Sequence, residues 1–167
     1  IRAEVSVRKS REVRFYSVIV SKDPEARRLL GETCLLDEDG NVSECMSPMH
    51  HRLLRQNCCR RAFIRGAFLA VGSVSDPEKS YHFEIVCTAP EKARQLQELL
   101  ASYDVDAKVV LRKRHYVVYI KEGSQIVELL GLMGAHISLM QLENVRIVKE
   151  MRNSVRGYPI YTGEDRT

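Results

Sequence analysis

Apolar and polar residues alternate along two short stretches near the start of the chain, which predicts two β-strands. The stretches are residues 3–9 and 16–20, and both contain the β-branched and aromatic residues that are typical of strands. Asp23 and Pro24 then predict the start of a helix, with Asp23 as its cap residue and Pro24 in its first turn. The order strand, tight turn, strand and helix indicates an α/β (α+β) fold with antiparallel strands.

The same order returns about a hundred residues later, which predicts a duplicated domain. Residues 3–9 (AEVSVRK) match residues 107–113 (AKVVLRK), residues 16–20 match residues 116–120, and residues 28–31 match residues 128–131. The separation between matched residues changes once, so we predict a short insertion in the first hairpin.

The second copy has more sequence before its hairpin than the first. The pattern there predicts a helix over residues 57–73, a strand near residues 81–87 and a helix from about residue 90 to 103. Nothing equivalent precedes Ile1, so the first repeat is expected to be incomplete in this chain. The predicted organisation is half of a first repeat (1–33), a connector of acidic turn-forming residues (34–47), a second repeat (48–152) that ends in a helix over residues 135–151, and a linker or tail (153–167).

Small and apolar residues line the helix predicted over residues 57–73. Gly66 in mid-helix costs about 1 kcal/mol relative to alanine, so close approach by another helix is the expected compensation. We therefore expect this helix to be buried on two sides and to pack against another helix. The predicted interface residues are Ala62, Phe63, Gly66, Ala67, Ala70, Val71 and Gly72.

Composition narrows the possible functions only a little. A formal net charge of +4 is compatible with a polyanionic partner but is a modest excess. The five cysteines lack paired C-x-x-C spacing, so we predict reduced, mostly buried thiols, no metal site even with His50 and His51 nearby, and no cofactor. No signal peptide and no apolar run of membrane-spanning length is present, which favours the cytoplasm and no membrane partner.

Several blocks in order resemble one protein family. The segment FIRGAFLAVGS (residues 63–73) resembles the LAGLIDADG helix of homing endonucleases. Together with CCRRAF (58–63), DPE (76–78), SYH (80–82), VRIV (145–148) and MRNSV (151–155), it resembles the WhiA family. The resemblance implies two αββαββα-type repeats related by a pseudo-two-fold axis, which form a saddle of antiparallel strands, with the first repeat incomplete here. It also implies that the helix predicted over residues 57–73 forms the interface between the repeats.

One departure from the endonuclease pattern bears on activity. In those enzymes an acidic residue just before the motif glycine holds the divalent metal ions, and Val71 stands there in this chain, with Leu69 at the other commonly acidic position. We therefore predict no nuclease activity. Two alternatives stay open, namely an active endonuclease that uses Asp76 or Glu84 instead, and a protein-interaction or ligand-sensing module that reuses the saddle.

Basic residues surround both predicted hairpin turns at equivalent places, which favours contact with double-stranded DNA. Arg60, Arg61 and Arg65, on the central helix, are expected to pair with carboxylates or to extend past the interface instead. The resemblance implies a regulator of transcription in bacterial sporulation and cell division. We expect a monomer, located in the cytoplasm at the nucleoid. The resemblance also implies a C-terminal helix-turn-helix domain, which we expect to be absent from residues 1–167, and possible protein partners. The DNA-binding candidates are Arg8, Lys9, Arg11, Arg14, Arg112, Lys113, Arg114 and His115.

Overall fold

The computed structural model describes residues 1–11, 13–33, 35–37, 39–42 and 54–156. Its contacts divide the chain into two compact units, Ile1–Arg55 and Gln56–Thr167. The predictions made for Cys34, Cys45, His50, His51 and residues 157–167 lie outside the described residues.

The first unit is a β-hairpin followed by a helix. Strands β1 (Glu4–Ser10) and β2 (Val13–Ile19) pair antiparallel, and helix α1 (Asp23–Glu32) follows. Helix α1 begins one residue earlier than predicted, because Lys22 rather than Asp23 occupies its N-cap position. No side chain makes a capping hydrogen bond there, and Asp23 already lies in the first turn. There the Asp23 carboxylate accepts a hydrogen bond from Arg27 at 3.3 Å instead.

The second unit is a four-stranded antiparallel sheet with helices, in the strand order β3-β4-β6-β5. The mixed α/β class and the antiparallel strands predicted from the sequence are confirmed. Its elements, in chain order, are α2 (Asn57–Val71), β3 (Gly72–Val74), β4 (Phe83–Cys87), α3 (Pro90–Ala101), β5 (Lys108–Arg112), β6 (His115–Ile120), α4 (Gly123–Met133) and α5 (His136–Arg156).

Two predicted boundaries are wrong. The helix predicted to reach residue 73 ends at Val71, because Gly72 takes an extended backbone and pairs with Ile85 of β4. The tail predicted from residue 153 begins as helix, since α5 continues to Arg156.

The core of the second unit lies between one face of the sheet and the helices. Phe68 of α2 stacks on Phe83 of β4 with ring centroids 4.8 Å apart, which places α2 on this face. Because side chains alternate along a strand, Ile85 and Ile120 share the face of Phe83. Among the residues that the structure describes, the largest fully buried side chains are Phe83, Ile64, Ile85, Leu100, Ile126, Leu129, Val105 and Val118.

The two hairpins pair their strands in equivalent registers, and these registers define the insertion. Val7 pairs with Tyr16 in the first hairpin, as Leu111 pairs with Tyr116 in the second. Between the Val7–Tyr16 pair and the turn, the first hairpin has three more pairs of residues in its ladder. Between the Leu111–Tyr116 pair and the turn, the second hairpin has one. The inserted residues therefore lengthen the first ladder by two pairs and leave the turn as short as its counterpart.

Arginines of α2 satisfy the carbonyl end of α4. Arg61 donates to the carbonyls of Leu132 at 2.7 Å and Gly131 at 3.2 Å, and Arg65 donates to that of Met133 at 2.7 Å. The last carbonyls of a helix lack partners within it, and positive charge is favourable at that end. The predicted carboxylate partners are wrong for these two arginines, because the C-terminus of α4 lies against α2.

Candidate functional site

The first hairpin presents cations that have no carboxylate partner among the described residues. Lys9 and Arg14 are directly paired across the two strands, so their side chains share one face. Arg8 pairs with Phe15 and points to the opposite face, and Arg11 lies at the tip with a positive φ of 55°. All four side chains are exposed. A like-charged pair placed directly opposite is unfavourable, and a bound anion would relieve it.

The second hairpin is shorter and partly neutralised. Lys113 forms its tip with a positive φ of 58°, followed by Arg114, and both are exposed. Arg112 pairs with His115 in the ladder, but its guanidinium reaches across β6 and donates to Glu84 of β4 at 3.3 Å. Of the four candidates on this hairpin, Arg112 is therefore already committed to a carboxylate.

Glu84 is the centre of a polar cluster on the sheet face opposite the core. Its carboxylate contacts His82 Nε2 at 3.0 Å, Ser73 Oγ at 3.2 Å and Arg112 Nη1 at 3.3 Å. The hydrogen bond to His82 is the main cause that lowers the pKa of the Glu84 carboxyl, with smaller contributions from Ser73 and Arg112. Tyr119 adds an aromatic ring 5.9 Å from the ring of His82. Glu84 therefore stays ionised and has its donors in place.

The lowered pKa predicts an acid-sensitive contribution to stability. A carboxyl whose pKa is lower in the folded chain stabilises the fold fully above its unfolded-state pKa, and the contribution is lost as the pH falls through the folded-state value. We expect Glu84→Gln to lower the free energy of unfolding by about 1 kcal/mol or less at neutral pH and by less still near pH 3. Urea unfolding at both pH values measures this difference, with Glu98→Gln on the exposed face of α3 as the control. A Glu84→Gln deficit that does not shrink on acidification would contradict the assignment.

The end of α2, where a homing endonuclease would hold its metal ions, carries aliphatic side chains. Leu69 is 76% exposed and Val71 is 51% exposed, and neither offers an oxygen ligand. Asp76 lies in the following turn, where its side chain accepts the backbone N–H of Glu78 at 3.0 Å. The described part of the chain contains no group of three or more His, Cys, Asp or Glu side chains that could hold a metal ion.

The predicted interface residues lie along α2 and just beyond it. Only Ile64 of this helix is buried, and the predicted burial of its second side stays a prediction. One side packs on β4 and α4, and the other leaves Gly66 with no atom within 4 Å of a Cβ built there. Ala62, Phe63 and Ala70 are exposed and Ala67 is half-buried, whereas Gly72 belongs to β3. Packing of this face against another helix stays a prediction.

The sequence pattern indicated Glu84 and Arg112 as separate candidates and did not reveal their contact. A weak signal was available, because His82 and Glu84 are two residues apart in a predicted strand and so share a face. The contacts of Glu84 with Ser73 and Arg112 depend on the order of the strands in the sheet, which cannot be deduced from the sequence pattern. No helix in the described ranges is both long and apolar enough to cross a membrane.

Comparison with known proteins gives consistent results. The family model described as the WhiA LAGLIDADG-like domain matches residues 60–152. A probable cell division protein WhiA of Lachnoclostridium phytofermentans is 49% identical over 160 residues, which is 93% of this chain and 50% of that protein. Proteins of the same name from Clostridium botulinum and Alkaliphilus metalliredigens are 43% and 41% identical over 158 residues, with the same coverage. The chain thus spans about half the length of these curated relatives.

Solved structures support the fold. The crystal structure of the N-terminal LAGLIDADG domain of DUF199/WhiA matches with a TM-score of 0.52 and 21% identity, over 80% of this chain and 58% of that one. The full-length DUF199/WhiA from Thermatoga maritima matches with a TM-score of 0.58 and 18% identity, over 92% and 51% of the two chains. With the family model and the relatives, these matches show that the chain belongs to the WhiA family and has its LAGLIDADG-like fold.

Proposed function

We propose that this chain is a non-catalytic, DNA-associated domain of a transcription regulator that acts in cell division and sporulation, in the cytoplasm at the nucleoid. The cell-division part is supported by the names of the relatives, which are probable cell division proteins. The proposed association with DNA depends on the basic hairpins. The proposed lack of nuclease activity depends on the side chains at the end of α2.

The observation that carries the DNA proposal is the Lys9–Arg14 pair of the first hairpin. Two cations share one rung of the ladder, and no ion pair involving either occurs among the described residues. Phosphate groups are the anions that such a pair would accept on duplex DNA, and contacts to phosphates position a protein without reading sequence. The longer first hairpin, with four cations, is therefore proposed as the principal phosphate contact.

The second hairpin is proposed to contribute less. Lys113 and Arg114 are exposed at its tip, whereas Arg112 is held by Glu84. A phosphate that approached Arg112 would have to compete with the Glu84 carboxylate, which His82 and Ser73 also hold in place. The DNA contact is thus expected to be uneven between the two repeats.

The lack of nuclease activity is proposed from the chemistry of the α2 end. Divalent metal ions of the Mg²⁺ type bind oxygen ligands, and Leu69 and Val71 have none. Of the two alternative acids, Asp76 is part of a turn and Glu84 is occupied by His82, Ser73 and Arg112. Neither carboxylate lies in a group that could complete a metal site among the residues described here.

The test compares duplex binding at several salt concentrations for the unmodified chain and for the double variant Lys9→Gln with Arg14→Gln. Each phosphate contact contributes about 0.9 to the slope of log affinity against log salt, so the slope should fall by about 1.8. Affinity at about 0.1 M salt should fall roughly tenfold or more. Fluorescence anisotropy with a labelled duplex measures both quantities, and gel analysis in Mg²⁺ and Mn²⁺ should show no cleavage.

A matched control removes the same charge elsewhere. Lys79→Gln with Arg94→Gln changes two exposed cations of the second unit that lie outside the hairpins, and its salt slope should match the unmodified chain. Equal losses of DNA affinity in both double variants would show that net charge alone, and not the hairpin, accounts for binding. Undetectable binding by the unmodified chain would end the DNA proposal and favour a protein-interaction role, whereas metal-dependent cleavage would overturn the non-catalytic part.

A further inference from the structure

Two adjacent cysteines lie in the first turn of α2, at a surface that the DNA proposal does not use. Cys58 is exposed and Cys59 is partly exposed, and their sulfur atoms are 4.0 Å apart. The side-chain oxygen Oε1 of Gln56 lies 3.5 Å from the Cys58 sulfur. The expectation of mostly buried thiols therefore fails for Cys58 and holds for Cys87, which belongs to the core.

The helical backbone keeps these two sulfurs from forming a disulfide with each other. Consecutive Cα atoms are about 3.8 Å apart, whereas the Cα atoms of disulfide-bonded cysteines are usually about 4.4–6.8 Å apart. The first turn is closed by hydrogen bonds from the backbone N–H groups of Cys59 and Arg60 to the carbonyl of Gln56, both at 3.1 Å. The pair is thus held as two converging thiols.

The separation of the sulfurs suits a shared metal ion. An ion with only two thiolate ligands favours a nearly linear arrangement, in which metal–sulfur bonds of about 2.3 Å place the sulfurs about 4.6 Å apart. The observed separation of 4.0 Å differs from this by an amount that a small side-chain rotation supplies. A bridging ion therefore requires no change in the backbone of α2.

The number of ligands selects the kind of ion. Structural zinc takes four protein ligands, and no third His, Cys, Asp or Glu joins this pair among the described residues. Thiolates favour soft ions, of which Cu(I) accepts few ligands. We propose that Cys58 and Cys59 form a two-sulfur binding site for Cu(I). On binding, each thiol releases one proton to solvent and each sulfur forms one bond to the ion, with no change of oxidation state.

The experiment titrates Cu(I) into the reduced chain under anaerobic conditions, with bathocuproine disulfonate as competitor. Cys34 and Cys45 are replaced by serine in every variant, so that only Cys58, Cys59 and Cys87 can contribute. We expect one Cu(I) per chain and an ultraviolet thiolate-to-copper absorption band. Cys58→Ser and Cys59→Ser should each lower the affinity about tenfold or more, because either change removes the chelation by two linked ligands.

Cys87→Ala is the matched control, since it removes a buried thiol far from the pair in sequence, and its Cu(I) affinity should be unchanged. Circular dichroism of each variant shows whether the helices are retained. Absence of the absorption band in the folded parent, or equal Cu(I) affinity in the parent and in both serine variants, would overturn the proposal. Either result leaves the DNA proposal unaffected, because the hairpins play no part in this site.

Discussion

Replacing Phe83 by alanine should lower the free energy of unfolding by about 3–5 kcal/mol, the largest single effect we expect in this chain. Phe83 is 1% exposed, lies in β4 and stacks on Phe68 of α2. Its removal leaves a cavity between the sheet and α2 and also removes the ring contact, so both the transfer of apolar surface and the packing are lost. Urea unfolding followed by circular dichroism measures the change.

The matched control is Phe63→Ala, which makes the same substitution on α2. Phe63 is 39% exposed, so its ring is far less committed to the core. We expect a loss below about 1 kcal/mol, in the range of surface substitutions. Similar losses at both positions would show that the core is not centred on the contact between α2 and β4.

The sequence was sufficient to predict the hairpins because their signals are local. The period of two, the short turns and the repeated AEVSVRK and AKVVLRK segments indicated both ladders, and the change of offset placed the insertion. It did not show whether the inserted residues lengthen the loop or the strands. The pairing of Lys9 with Arg14 answers that question, and it is a property of the ladder rather than of either strand alone.

The end of α2 was predicted less well because a distant segment decides it. The apolar spacing of a helix continues past Val71, and nothing nearby in the sequence interrupts it except Gly72. The helix stops there because Gly72, Ser73 and Val74 pair with β4, which begins at Phe83. A single-sequence pattern does not report such a competition between a helix and a strand partner.

Contacts between charged side chains were the least predictable part of the candidate site. Arg112 contacts Glu84 across the intervening strand β6, a relation that exists only because the strand order is β3-β4-β6-β5. Arg61 likewise donates to backbone carbonyls of α4, which the spacing along α2 does not reveal. Charge type was therefore readable from the sequence, whereas the partner that neutralises each charge followed from topology.

Gly72→Ala should destabilise the chain by about 2–3 kcal/mol, in the range of overpacking changes. A Cβ at residue 72 would lie 2.7 Å from the carbonyl oxygen of Phe68 and 2.9 Å from its Cα, and it would also overlap the ring of Phe68. Because the Phe68 ring stacks on Phe83, it has little freedom to move away from a new Cβ. The carbonyl oxygen and the Cα of Phe68 have even less freedom to move, since they belong to the backbone. The strain thus arises where the chain passes directly from α2 into β3. Equilibrium unfolding in urea measures the loss of stability.

Gly66→Ala is the control, and it should change stability in the opposite direction. No atom lies within 4 Å of a Cβ at residue 66, which is in the interior of α2. Alanine there should stabilise the helix by about 0.5–1 kcal/mol, because it restricts the unfolded chain more than glycine does. Opposite signs at Gly66 and Gly72 would show that only the second glycine is required by packing in this chain. Destabilisation by both would instead mean that the exposed side of α2 is in close contact with another segment in solution, as predicted for a helix at the interface between repeats.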